Sequence, residues 1–236
     1  MRDKLQKIYS YFFIKTAPRR TRISRKPRAQ SMVEFAILLP ILLMLFSGMV
    51  EFGFMLNTYL SILDATRQAA RQFSNTTPFL LDTATNTIKD NPAFYEECAQ
   101  AAVINLDPSL GTPPDPNARR IVMNPNTDDV IVSVLSVSVN SAVTPAVISS
   151  IVRHPDGPAD FYSLYGQRDT KYSNANIEEY MTQNNRTPVE TGILIVEIYY
   201  GYSGILKLPW VTAFMSDADP VILHASTIMP LVAAKP

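Results

Sequence analysis

The sequence predicts an α+β protein carried on a long N-terminal membrane-spanning helix, and three features predict it. Residues 35–50 form an uncharged apolar run, and residues 56–73 carry on with apolar side chains at helical spacing. Residues 194–202 and 221–229 alternate apolar and polar side chains at the two-residue period of a strand. The expected architecture is a helix that crosses the membrane and continues as a spine, packed by a small antiparallel sheet and one or two further helices.

The chain has 236 residues, 47% of them hydrophobic, enough for a membrane segment and one domain of ordinary size. Its formal net charge is zero, but residues 1–29 carry ten Lys or Arg and one acid, a balance of +9, and the rest carries eleven bases and twenty acids, −9. That is a basic anchor joined to an acidic domain, not a nucleic-acid binder with a basic working face. Cys98 is the only cysteine, so no intrachain disulfide or cysteine-based zinc site forms. Burial as a small apolar residue is expected for it, ahead of a link between two chains.

The element order starts with a basic cytoplasmic leader at 1–29, followed by a transmembrane helix at 30–58 and an extracytoplasmic α+β domain at 59–236. About 20 apolar residues cross a hydrocarbon core of ~30 Å, and this run exceeds that. Lys15, Arg19, Arg20, Arg22, Arg25, Lys26 and Arg28 precede it, whereas residues 57–63 carry no base. The bias puts the N-terminus inside the cytoplasmic membrane and the remaining chain outside. A cleaved secretory signal is disfavoured by the length of the basic region, by Pro40 within the apolar run and by the lack of an A-x-A-like site after it. Pro40 removes one helical hydrogen bond and should bend the helix. Two acids need partners or an interface: Glu34 at the cytoplasmic boundary, and Glu51, which at the membrane centre would cost roughly 2.5–3.5 kcal/mol. For Glu51, displacement toward the outer interface is expected slightly ahead of a specific pairing.

The stretch from Arg28 and Ala29 through Gln30, Ser31, Met32, Val33, Glu34, Phe35 and Ala36 to Pro40, followed by Leu42, Leu43, Gly48, Glu51 and Phe52, resembles the TadE family. These are pseudopilins of the tight-adherence, or Flp-type, pilus assembly system. The resemblance implies a pilin-like fold and a basic leader removed by a membrane aspartic prepilin peptidase that cuts after a glycine five residues before a glutamate. Glu34 falls on that glutamate, Ala29 stands where the glycine would be, and Gln30 would become the new N-terminus. The substitution of alanine adds a methyl group at the cut, so the resemblance leaves open whether the leader is removed. After a cut, the amine of Gln30 on one chain would pair with Glu34 of the next within lipid, since both are costly there alone. The implied partners are the membrane, the peptidase and other pilin or pilus-assembly subunits, and the protein would stay in the membrane or enter a pilus.

Beyond the membrane, Leu56, Leu60, Leu63, Ala69, Ala70 and Phe73 suggest a continued helix, and residues 30–73 would span about 66 Å at 1.5 Å per residue. A second helix is expected over residues 87–105 with Phe94, Cys98, Ala101, Ala102 and Ile104 as its stripe, and Pro92 near its start. Residues 107–117, with four prolines and a glycine, read as a connector. A strand is expected over 130–139, with a bulge where the apolar phase changes at Val134 and Leu135. Strands over 194–202 and 221–229 follow, the latter placing His224 and Ser226 on the face opposite its apolar residues. Residues 140–190 read as a long insertion with a short helix at 175–183, either a contact surface or a solvated loop. Leu206, Leu208, Trp210, Val211, Phe214 and Met215 are expected to fold into the core ahead of forming an exposed patch.

No motif carries catalysis. His154 and His224 lack metal-binding spacing, and Asp156-Gly157 with Asp160 reads as a turn without an EF-hand pattern. There is no G-x-S-x-G, phosphate-binding glycine loop or C-x-x-C. No metal, cofactor or small-molecule substrate is expected. The leading expectation is a non-enzymatic TadE-like pseudopilin or minor pilin. A permanently anchored binding or adhesion module is the alternative, and an anchored enzyme ranks third.

Overall fold

The computed structural model describes residues 27–83, 86–157 and 159–236. The chain divides into two units, Met1–Leu45 and Phe46–Pro236, and the helix α1 (Pro27–Phe73) contributes to both. In the first unit every residue from 31 to 45 is exposed, large apolar side chains such as Phe35, Leu38 and Leu42 included. A helix that is apolar on all sides and unburied has no place in water, and this one is long and apolar enough to cross a membrane. Pro40 lies inside α1 without interrupting it.

In the second unit the remainder of α1 is followed by a hairpin, β1 (Phe79–Asp82) and β2 (Thr87–Asp90), and by α2 (Pro92–Leu106). The helix expected from residue 87 therefore begins only at Pro92, because the Asn91 side chain caps it by accepting from the Ala93 amide. Pro92 also disfavours a helical Asn91. Thr87–Asp90 pairs antiparallel with Phe79–Asp82 instead. On α2 the buried stripe is Phe94, Tyr95, Cys98, Ala99, Ala102 and Leu106, whereas Ile104 is exposed.

The main sheet contains β3 (Asp129–Asn140), β4 (Val147–His154), β5 (Tyr162–Ser163), β6 (Thr191–Tyr202) and β7 (Val221–Pro230). Its order is β4-β3-β6-β7, with β5 pairing the first half of β3, and every pairing is antiparallel. Between β5 and β6 lies α3 (Asn174–Thr182), opened by a Ser173–Asn176 capping box, and between β6 and β7 the single turn α4 (Pro209–Thr212). The 140–190 insertion thus supplies two strands and a helix to the fold. Its first strand, Val147–His154, reads weakly because Ser149, Ser150 and Arg153 interrupt its apolar residues.

Both faces of the sheet are buried. Val130, Val132, Val134, Leu194, Val196, Ile198 and Ala225 pack with α1 and α2 on one side. On the other, Leu135, Val137, Ile193 and Ile195 pack with Ile177 of α3. The phase change at Val134 and Leu135 is therefore a strand with two dry faces, each full side chain contributing about 1.5–3 kcal/mol. The register irregularity of β3 falls later, between Ser138 and Val139.

Of the stripe read in the sequence, Ala69, Ala70 and Phe73 are buried and Leu63 packs partly against the core, while Leu56 and Leu60 are half exposed; the buried face of α1 also takes in Ser47, Glu51, Thr58, Ile62, Ala65 and Thr66. Toward the sheet, the Thr66 and Thr227 hydroxyls share a hydrogen bond of 2.8 Å.

Candidate functional site: the buried acid of the apolar helix

Glu51 belongs to an apolar stretch, yet it is only 2% exposed and its carboxylate is engaged on both oxygens. The Tyr202 hydroxyl and the Ile205 amide donate to Oε1, and the Leu206 amide donates to Oε2 at 2.9 Å. Local geometry makes this convergence possible. β6 ends at Tyr202, and Gly204 takes φ +82°, which turns the chain so that two consecutive amides face the same carboxylate. A Cβ on Gly204 would stand 3.4 Å from Oε1. Burial first, and then the hydrogen bond to Glu51, raise the pKa of the Tyr202 hydroxyl, so it remains a donor across the physiological range.

One turn earlier on α1, the Ser47 hydroxyl accepts from the Trp210 indole Nε1 at 2.9 Å. Trp210 opens α4 together with Pro209. The segment expected to enter the core does so only in part: Val211 is buried, whereas Ile205, Trp210 and Phe214 are exposed. Thr58, lower on the same stripe, satisfies its hydroxyl on the Phe54 carbonyl at 3.0 Å.

The other residues singled out in the sequence are placed separately. Glu34 is exposed on α1 within the Met1–Leu45 unit. Ala29 and Gln30 stand in the opening turns of the same helix, as does the backbone of Arg28. Arg19, Arg20, Arg22, Arg25 and Lys26 lie outside the described residues. Cys98 is fully buried in α2, and burial pushes its thiol up to about 12.

Two further polar centres tie the insertion to the sheet. The buried Asp129 carboxylate accepts from the amides of Val130, Tyr165, Gln167 and Arg168 and from the Ser163 hydroxyl. Glu197, also buried, accepts from the Thr170 hydroxyl and the Lys171 amide, with His224 Nε2 at 3.0 Å. Among the described residues, Asp90, His154 and Asp156 form a group with metal-ligand atoms close together. His154 Nδ1 is 3.1 Å from Asp90, whose other oxygen already accepts from the Asp156 amide at 2.6 Å. This arrangement is a polar junction between the hairpin and β4, with Asp156 largely in solvent.

Sequence reasoning found Glu51 but none of its partners. Tyr202 and the Ile205 and Leu206 amides lie 151 or more residues away along the chain, and Trp210, which bonds Ser47, is as distant; the one available signal was an acid in an apolar run demanding donors.

Residues 29–71 match the family model described as TadE-like protein. Comparison with curated proteins and with solved structures yields no match. The matched segment coincides with α1, from Ala29 to two residues before its end, and contains both Ser47 and Glu51. The side chains and amides that engage them come from outside it. This helix, exposed and largely apolar in the first unit and carrying a buried acid in the second, is thus the segment over which the chain is similar to TadE-like proteins, and it is long and apolar enough to cross a membrane.

Proposed function

We propose that the protein is a pseudopilin or minor pilin that takes part in assembling an Flp-type, type IV-related pilus. It is anchored in the cytoplasmic membrane with the basic leader inside and the folded head outside. The observation that carries this reading is α1, whose residues 31–45 are all exposed and, Ser31 and Glu34 apart, apolar, with Ser47 the first buried residue of the same helix. Such a helix offers lipid and like helices a largely apolar surface. Glu34 on that surface is the acid that would pair with a neighbouring chain's Gln30 amine after removal of residues 1–29, and no catalytic step is assigned to the chain.

The mass of the membrane-extracted protein tests the processing. Loss of residues 1–29 is expected, and replacement of Ala29 by a bulky residue should preserve the full mass. An intact leader in the parent protein supports the permanently anchored binding or adhesion module instead. Glu34→Ala should reduce pilus formation while leaving membrane insertion unchanged; pilus levels equal to the parent's would remove the pairing role.

A further inference from the structure

Ile205, Trp210 and Phe214 are exposed at 53%, 37% and 80%, an unusual concentration of apolar surface in one short connection. Their depth along α1 is fixed by hydrogen bonds. The Ile205 amide is held by Glu51, and the Trp210 indole by Ser47, one helical turn nearer the apolar run. At this same level α1 itself exposes Phe46, Met49 and Phe52. Within this unit the exposed apolar side chains of α1 and of the 205–214 connection therefore stand at one level of the helix. Lys207, the one charged residue of 205–214, pairs at 2.8 Å with Asp217 just beyond it, so the connection carries no unpaired charge.

We infer that the 205–214 connection is a membrane-surface foot, which rests in the interfacial layer of the bilayer from which α1 emerges, with Trp210 at headgroup level and Phe214 reaching toward the acyl chains. The direct chain connection of Phe46 to a run long and apolar enough to cross a membrane favours lipid over a protein partner. Tryptophan is the residue that suits this layer, its ring apolar and its N–H polar, and here the N–H is already satisfied by Ser47. The inference rests on α1 spanning the membrane and is independent of any role in a pilus.

Trp210 is the only tryptophan, so its fluorescence reports the foot directly. The full-length protein is reconstituted in phosphatidylcholine vesicles, its co-flotation with lipid is verified, and the emission is quenched with doxyl-labelled lipids or with aqueous acrylamide. Shallow-labelled lipid should quench several-fold more strongly than centre-labelled lipid, acrylamide should quench weakly, and Phe214→Ser should reverse that preference while leaving the protein in the vesicles. Efficient acrylamide quenching with no lipid quenching overturns the foot. So does protection that disappears on dilution of protein in lipid, because that marks a neighbouring copy as the cover. Failure to float overturns the membrane span itself, and the foot with it.

Discussion

The Tyr202 hydroxyl donates to the carboxylate of Glu51, 151 residues earlier in the chain, and so joins the last residue of β6 to α1. Removing the acid strands a hydroxyl and two amides, each worth roughly 1–3 kcal/mol when buried without a partner. Glu51→Ala should therefore destabilise the head by about 3 kcal/mol, whereas Tyr202→Phe, which leaves both amides in place, should cost about 1 kcal/mol. Thermal unfolding of the detergent-solubilised protein measures both. The double variant should fall short of the sum, since the two groups share one bond, and strict additivity would show them energetically independent.

Gly192 lies against the end of the chain. A Cβ there would meet the Leu231 carbonyl at 2.2 Å and Ala234 at 2.6 Å, and the Leu231 amide donates to the Gly192 carbonyl. Gly192→Ala should displace residues 231–234 and lower stability by roughly 1–3 kcal/mol, the usual cost of overpacking. A melting temperature equal to the parent's would show that the chain end is dispensable to the fold.

Cys98 should resist alkylation at pH 8 in the folded protein and react quickly once denaturant is added. The sign of its linkage follows from a folded pKa of about 12, above the ordinary thiol value near 8.5. Between the two the folded state holds a proton that the unfolded state has lost. The thiol's contribution is complete below pH ~8.5 and declines as pH rises toward 12. Cys98→Ala should flatten that alkaline loss, and an unchanged slope would assign it to other groups such as Tyr95, whose pKa burial also raises.

Asp129 gathers five donors, three of them amides of residues 165–168. Asp129→Asn removes the charge and part of the acceptor capacity, so it should cost roughly 2–3 kcal/mol. Proteolysis of residues 155–172 should become faster than cleavage elsewhere in the head. Equal protection throughout would mean that β5 and its neighbours are held by packing alone.

Where side-chain pattern is dictated by one environment, the fold was legible. The apolar helix ends at Phe73 as its periodicity indicates, and β6 and β7 were legible because Leu194, Val196, Ile198 and Ala225 recur at the strand period on the face that packs with α1 and α2. The short helix of the insertion, expected at 175–183, is found at Asn174–Thr182. Legibility failed where tertiary contact overrides local preference. Thr87–Asp90 has helix-compatible neighbours but pairs as a strand, since Asn91 and Pro92 set the helix start after it. The serines of Val147–His154 hid an edge strand. On α1 the buried face takes Ala65, Thr66 and Ala69 where Leu56 and Leu60 stay half exposed, because periodicity alone does not choose between adjacent faces. For the site, the sequence identified Glu51 as an anomaly, but donors so distant in the chain leave no trace in composition or spacing.

The bonds at Glu51 and Ser47 have a mechanical consequence. A tug along α1 reaches the β6–β7 connection through these two side chains, and because they lie one turn apart they are strained together rather than in succession. Yielding then requires several polar bonds to break at once, as in a latch, before the greasy contacts of Ile62 and Phe73 bear the load.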